Sequence, residues 1–89
     1  MIRLRRLVLD ILKPHQPDAL AFTTLLAQQG KLRVKLTVLE MDDKTETLKV
    51  VIEGPDIDFE RIRTAISGFG ASLHSIDEVE VEGESEPTA

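Results

Sequence analysis

KLRVKLTVLEMDDKTETLKVVIE, residues 31–53, alternates apolar and polar side chains on both sides of a short acidic turn. Leu32, Val34, Leu36 and Val38 fall on one face, and Lys31, Arg33, Lys35 and Thr37 on the other. That period of two is the pattern of a half-buried strand over 31–41. Asp42-Asp43-Lys44 is too short to do more than turn the chain. Thr45–Glu53, with Leu48, Val50 and Ile52 inward, therefore folds back on the first strand as a hairpin.

On the amino-terminal side of the hairpin, residues 2–12 alternate as a strand, with Leu7, Leu9 and Ile11 on one face and Arg6, Val8, Asp10 and Leu12 on the other. Lys13-Pro14 stops it, because proline cannot donate to a ladder and restricts the residue before it. Pro17 and Asp18 suit the start of a helix over Ala19 to Gln29, with Leu20, Phe22, Leu25 and Leu26 as its apolar residues and Gly30 as its stop. On the carboxyl-terminal side, Gly54-Pro55 breaks the strand and Asp58 caps a second helix, with Ile57 and Ile62 as a hydrophobic staple. Phe59, Ile62, Ile66 and Phe69 form its buried stripe, and Gly68 and Gly70 close it. Residues 71–81, ASLHSIDEVEV, form a last strand whose alternation slips at Asp77-Glu78, as at a bulge.

The order β-α-β-β-α-β predicts one domain over residues 1–81. Its fold is a ferredoxin-like α+β sandwich, an antiparallel four-stranded sheet in the order 4-1-3-2 with both helices on one face. The remaining residues, 82–89, are expected to be a disordered acidic tail. Charge is divided unevenly: residues 1–76 carry eleven basic and ten acidic side chains, whereas 77–89 carry six acids and no base. A near-neutral body with an acidic end is a poor partner for nucleic acid. No apolar run approaches the roughly 20 residues of a membrane span. The basic-then-apolar start, MIRLRRLVLDIL, imitates a signal peptide, but Asp10 within it and the lack of a small-residue cleavage site argue against that reading. With no cysteine, disulfides, thiolate metal sites and thiol catalysis are excluded, and a cytoplasmic setting is expected.

Composition removes several uses of this architecture. There is no Tyr or Trp to stack on bases, and the three Phe lie on the helices. An acylphosphatase site needs an Asn beside its Arg, and a copper chaperone needs a Cys pair; the chain has neither Asn nor Cys. Ser72 and Ser75 lack a nucleophile-elbow pattern, and Gly68-Phe69-Gly70 reads as a helix end, not a phosphate loop.

The polar residues are the remaining guide. The two central strands, 1 and 3, are expected to run the same way, opposed to the edge strands 2 and 4. Their carboxyl ends would then share one edge of the sheet with the starts of strands 2 and 4. That edge would collect Asp10, His15, Glu53, Asp56, Asp58 and His74, with Asp77 close by. Asp10, His15, His74 and Asp77 are the candidate metal ligands, for calcium, magnesium or a transition metal, because carboxylates with imidazole suit a divalent cation. Each also has a plainer reading. Asp10 pairs with Arg6 or Lys49, His15 stacks in the turn and caps the following helix, His74 is a surface strand residue, and Asp56 and Asp58 serve a turn and a cap. No HxxxH, HExxH or Asp-rich calcium loop is present.

The segments RRLVLDILKPHQPD (5–18), LKVVIEGPDIDFERI (48–62) and LHSIDEV (73–79) resemble a family of small, mainly archaeal proteins defined as domain of unknown function number 211. The resemblance covers residues 2–81. It implies a ferredoxin-like subunit assembled into a closed ring, with divalent metal in at least part of the family, and it implies no activity. The mixed charges and aliphatics of the open sheet face suit a self-complementary interface, and the long edge strand 2 suits pairing with another subunit. The expectation is a non-enzymatic homo-oligomeric ring without nucleic-acid or membrane partners, its cation or small-molecule ligand unidentified. The alternatives are a regulatory or scaffold module that binds only protein and, behind it, a metal-dependent hydrolase using His15 or His74 as base.

Overall fold

In a computed structural model, residues 1–84 are described. They form β1 (Ile2–Pro14), α1 (Ala19–Ala27), β2 (Arg33–Met41), β3 (Thr45–Glu53), α2 (Phe59–Gly68) and β4 (Ser72–Gly83). The sheet has the order β2-β3-β1-β4, with all three neighbouring pairs antiparallel. This is the ferredoxin-like α+β arrangement that the hairpin and its flanks predict. Leu7, Leu9 and Ile11 of β1 and Leu48, Val50 and Ile52 of β3 face the helices and are almost wholly buried against Phe22, Leu26, Ile62 and Ile66. The rings of Phe22 and Phe69 close the contact between helices, 6.2 Å apart. Both helix starts are capped as their sequences require: Asp18 Oδ1 accepts from the Ala21 amide at 2.8 Å and Asp58 Oδ1 from the Arg61 amide at 3.2 Å.

One topological expectation is corrected. β1 and β3 run antiparallel, with Arg6 opposite Glu53 and Pro14 opposite Thr45. The crossover through α1 brings β2 back in the direction of β1, and the hairpin then reverses β3. The end of β1 therefore lies beside the start of β3, not its end. Glu53, Asp56 and Asp58 consequently sit at the other end of the sheet from His15. There the Gly54 and Ile57 amides donate to the Arg5 and Leu4 carbonyls near the beginning of β1. Gly54 is required there, since a Cβ would lie 2.7 Å from the Lys31 carbonyl oxygen.

The limits of the elements shift slightly. α1 ends at Ala27, two residues short of expectation, and β1 continues through Pro14. β4 continues to Gly83, because Ile2 and Arg3 offer backbone partners to Gly83 and Glu82. Glu82 and Glu84 are further held by Arg5 and Arg3, at 3.1 and 3.2 Å. Of the expected disordered tail, residues 85–89 lie outside the described residues. The expected slip in β4 occurs twice, since Asp77 and His74 are each an extra residue relative to β1. Among the described residues, no helix is long and apolar enough to cross a membrane.

Candidate functional site

Asp10 occupies the centre of β1 on the face away from the helices, opposite Lys49 of β3 on one side and Ser75 of β4 on the other. Alternation alone places it there, since its neighbours Leu9 and Ile11 are in the core. Asp77 reaches the same open-face groove through the bulge, and its Oδ1 accepts from the Ser75 hydroxyl at 2.7 Å. Thr47, Lys49, Arg6 and Glu78 are the other polar residues of the groove, and aliphatic side chains, among them Val8 and Leu39, line the rest. Two of the four candidate ligands are therefore brought together, as carboxylates with cations beside them.

The histidines do not join them. His74 is the extra residue of the second bulge and is exposed. His15 lies beyond the end of β1, five residues from Asp10, and turns to the β2–β3 hairpin. Its Nδ1 stands 3.1 Å from Glu46 Oε2 and its Nε2 2.8 Å from the Asp42 carbonyl oxygen. Both partners are acceptors, so both contacts are hydrogen bonds only when both ring nitrogens carry protons. The Glu46 carboxylate, helped by the Asp42 carbonyl, accordingly raises the His15 pKa above its ordinary value. Both ring nitrogens are thus turned to acceptors of the hairpin, not to Asp10 or Asp77. Among the described residues, no three His, Asp or Glu side chains stand together as a metal site, so the four-residue constellation is not formed within one subunit.

The structure instead assembles a cluster that the sequence reading passed over. Lys13 is wholly buried, with its ammonium 2.8 Å from the Pro14 carbonyl, 2.6 Å from the Pro17 carbonyl and 3.1 Å from Glu46 Oε1. Glu46 is directly opposite Lys13 in the β1–β3 ladder, and only 9% of its side chain is exposed. Its carboxylate lies between Lys13 and His15, and these two cations hold its pKa below the usual range, His15 contributing most. Oε1 faces the ammonium as a charge but receives no well-aligned hydrogen bond, because Lys13 aims its donors at the two carbonyls. Asp42 completes the cluster. Its carboxylate accepts from the Lys44 and Thr45 amides at 2.9 and 2.8 Å, which lowers its pKa and shapes the turn that presents its carbonyl to His15.

Chemically this cluster is a clasp. The buried Lys13 ammonium donates to two main-chain carbonyls and sets its charge against Glu46, so it is committed to groups of its own chain. It joins the β1–α1 turn, whose Gln16–Pro17 bond is cis, to the β2–β3 hairpin. A signal for it existed in the parity of the strands. Lys13 shares a face with Leu9 and Ile11, and Glu46 with Leu48 and Val50, so each is a charge written into a core-facing position. Reading Lys13-Pro14 only as a strand stop concealed that.

The comparisons give a family and name no activity. An uncharacterized protein of Methanocaldococcus jannaschii is 49% identical over 80 residues, covering 85% of this chain and 79% of that protein. The family model DUF211, described as Uncharacterized ArCR, matches residues 5–85, which takes in all of the sheet except the first three residues of β1, both helices, the open-face groove and the clasp. The chain belongs to the DUF211 family.

Proposed function

We propose that this protein is a non-enzymatic subunit that assembles with copies of itself into a closed ring. The observation that carries this reading is apolar exposure along both edges of the sheet. Val38, Leu39 and Met41 on β2 are 39–64% exposed, and Ile76, Val79 and Val81 on β4 are 44–56% exposed. A small chain gains stability by covering such surface. The two edges differ from one another, so contact between them is head-to-tail, the geometry that closes rings. The uncommitted edges contrast with the clasp, where the groups most suggestive of catalysis, Lys13 and His15, are fully engaged. A cytoplasmic setting accords with a chain that has no cysteine. Sedimentation equilibrium tests the reading: the expected mass is a fixed multiple of 9.9 kDa, and a monomer at tens of micromolar overturns it.

The carboxylate pair Asp10 and Asp77 supports a second element of the reading, a divalent cation in the open-face groove. Two oxygen-donor groups without imidazole favour a hard ion such as calcium or magnesium over zinc. Calorimetry on metal-stripped protein with calcium, magnesium, manganese and zinc separately is the test. Heat with calcium or magnesium that is lost in Asp10→Asn and Asp77→Asn supports it, and no heat with any of the four ions ends it.

A further inference from the structure

The strand registers align side chains into rows that cross the sheet from edge to edge. On the open face, one row reads Arg33 in β2, Glu53 in β3, Arg6 in β1 and Glu80 in β4, so the charges alternate without interruption. The next reads Lys35, Val51, Val8 and Glu78. Both rows begin on a cation at the β2 edge and end on a carboxylate at the β4 edge. On the helix side, the row between them runs Val34, Ile52, Leu7 and Val79, and the following one Leu36, Val50, Leu9 and Ile76. Inside the first row Arg6 is satisfied by Glu53 at 3.1 Å and by Glu78. Arg33, Lys35 and Glu80, all exposed, take part in no ion pair among the described residues.

We propose that β4 of one copy pairs antiparallel with β2 of the next, continuing the sheet from subunit to subunit. Glu80 then lies opposite Arg33 and Glu78 opposite Lys35 on the open face, while Val79 meets Val34 and Ile76 meets Leu36 on the helix side. The inference rests on the self-assembly reading and names its interface. Strand direction permits it, because β2 runs with β1 and β4 against it, so a copy placed beside β4 in the same orientation presents an antiparallel partner. A slip of one residue would set charges against the apolar face. A slip of two would bring Arg33 to Glu82 or Glu78, carboxylates already held by Arg5 and Arg6, whereas in the level register only Lys35 meets a held carboxylate, Glu78. The level register gives Arg33 the one carboxylate of the set that is unpaired, and it carries the alternating charge row unbroken across the junction. Cations on an edge strand ordinarily deter pairing. Here they deter every edge except one lined with carboxylates in matching rows.

Sedimentation of the full chain and of Arg33→Glu, Glu80→Arg and the double variant tests this. Each single reversal is expected to weaken association at least about tenfold, and the double to recover to within about threefold of wild type. A monomeric wild type overturns the self-assembly reading and this inference with it. A wild type that assembles, with single variants assembling equally well, overturns the edge pairing alone, as do weakened singles that the double does not rescue. Circular dichroism establishes that the variants fold. A second measurement does not depend on charge reversal: Thr37 and Ser75 end one further row, so in a chain without native cysteine Thr37→Cys/Ser75→Cys should cross-link into a ladder of multiples. A dimer band alone, or no cross-link, overturns the proposed register.

Discussion

Charge is handled in opposite ways at the clasp and along the sheet edges. At the clasp, Lys13, Glu46 and His15 lie among main-chain carbonyls, and each charge is directed at groups of the same chain. At the edges, Arg33, Lys35 and Glu80 project into solvent with no partner among the described residues. The difference lies in desolvation. A buried charge is tolerable only if its own subunit neutralises it, whereas an exposed one remains free to choose a partner elsewhere. Internal pairing thus fixes the fold at one end of the sheet, and the edge charges are left open to solvent, as the proposed assembly requires.

The sharpest way to break the contrast is to open the clasp. Glu46→Ala leaves the fully buried Lys13 ammonium without its carboxylate and His15 without its main partner. The expected loss of stability is about 3 kcal/mol, read from urea denaturation, because an uncompensated buried charge remains. Replacing both partners, Lys13→Met with Glu46→Leu, should recover most of that, to within about 1 kcal/mol of wild type, since neither charge is then stranded. A double variant as unstable as Glu46→Ala would mean that the pair contributes through its hydrogen bonds to Pro14 and Pro17, not through mutual neutralisation.

A smaller effect separates His15 from Glu46 by pH. The folded state raises the His15 pKa above 6.5, so His15 stabilises the protein fully below the unfolded value, and its contribution is lost as pH rises through the folded one. Glu46 is shifted the other way. Its contribution is present above the unfolded value of 4.5 and is lost as pH falls through its lowered folded value. Stability should therefore be greatest between those limits, in mildly acidic solution. His15→Gln should lower the urea midpoint at pH 5.5 and have a much smaller effect at pH 9. An equal loss at both values would show that the side chain acts by packing and neutral hydrogen bonding alone.

The two regions also differ in how far the sequence discloses them. Alternation in 31–53 and the apolar parity of Leu7, Leu9 and Ile11 give the strands, their inward faces and the sheet order, because burial of one face acts on every second residue. Asp10 could be placed on the open face by the same rule. Within one subunit His15 lies apart from Asp10 and Asp77 for a topological reason. Its partner follows from the mutual direction of β1 and β3, which alternation does not report, and with that direction reversed Glu46 takes the place assigned to Glu53. Asp77 was easier, since the broken alternation at Asp77-Glu78 marks the bulge that turns it toward Asp10. The edge rows were not legible at all. Period two says which face Arg33 and Glu80 share, but only the register across four strands puts them at the two ends of one line.

The smallest expected effect on the subunit is also the most discriminating. Arg33 is exposed and makes no ion pair among the described residues, so Arg33→Ala should change the unfolding free energy of the isolated subunit by no more than about 0.5 kcal/mol. Denaturation at protein concentrations low enough to suppress association measures that quantity. The same variant measured at high concentration should lose stability relative to wild type, because assembly adds a concentration-dependent term that the truncated side chain weakens. Glu46→Ala should show the reverse pattern, a large loss that does not depend on concentration. If Arg33→Ala proves costly in the dilute subunit, the edge cation belongs to the fold, and the division between internal and external charge no longer holds.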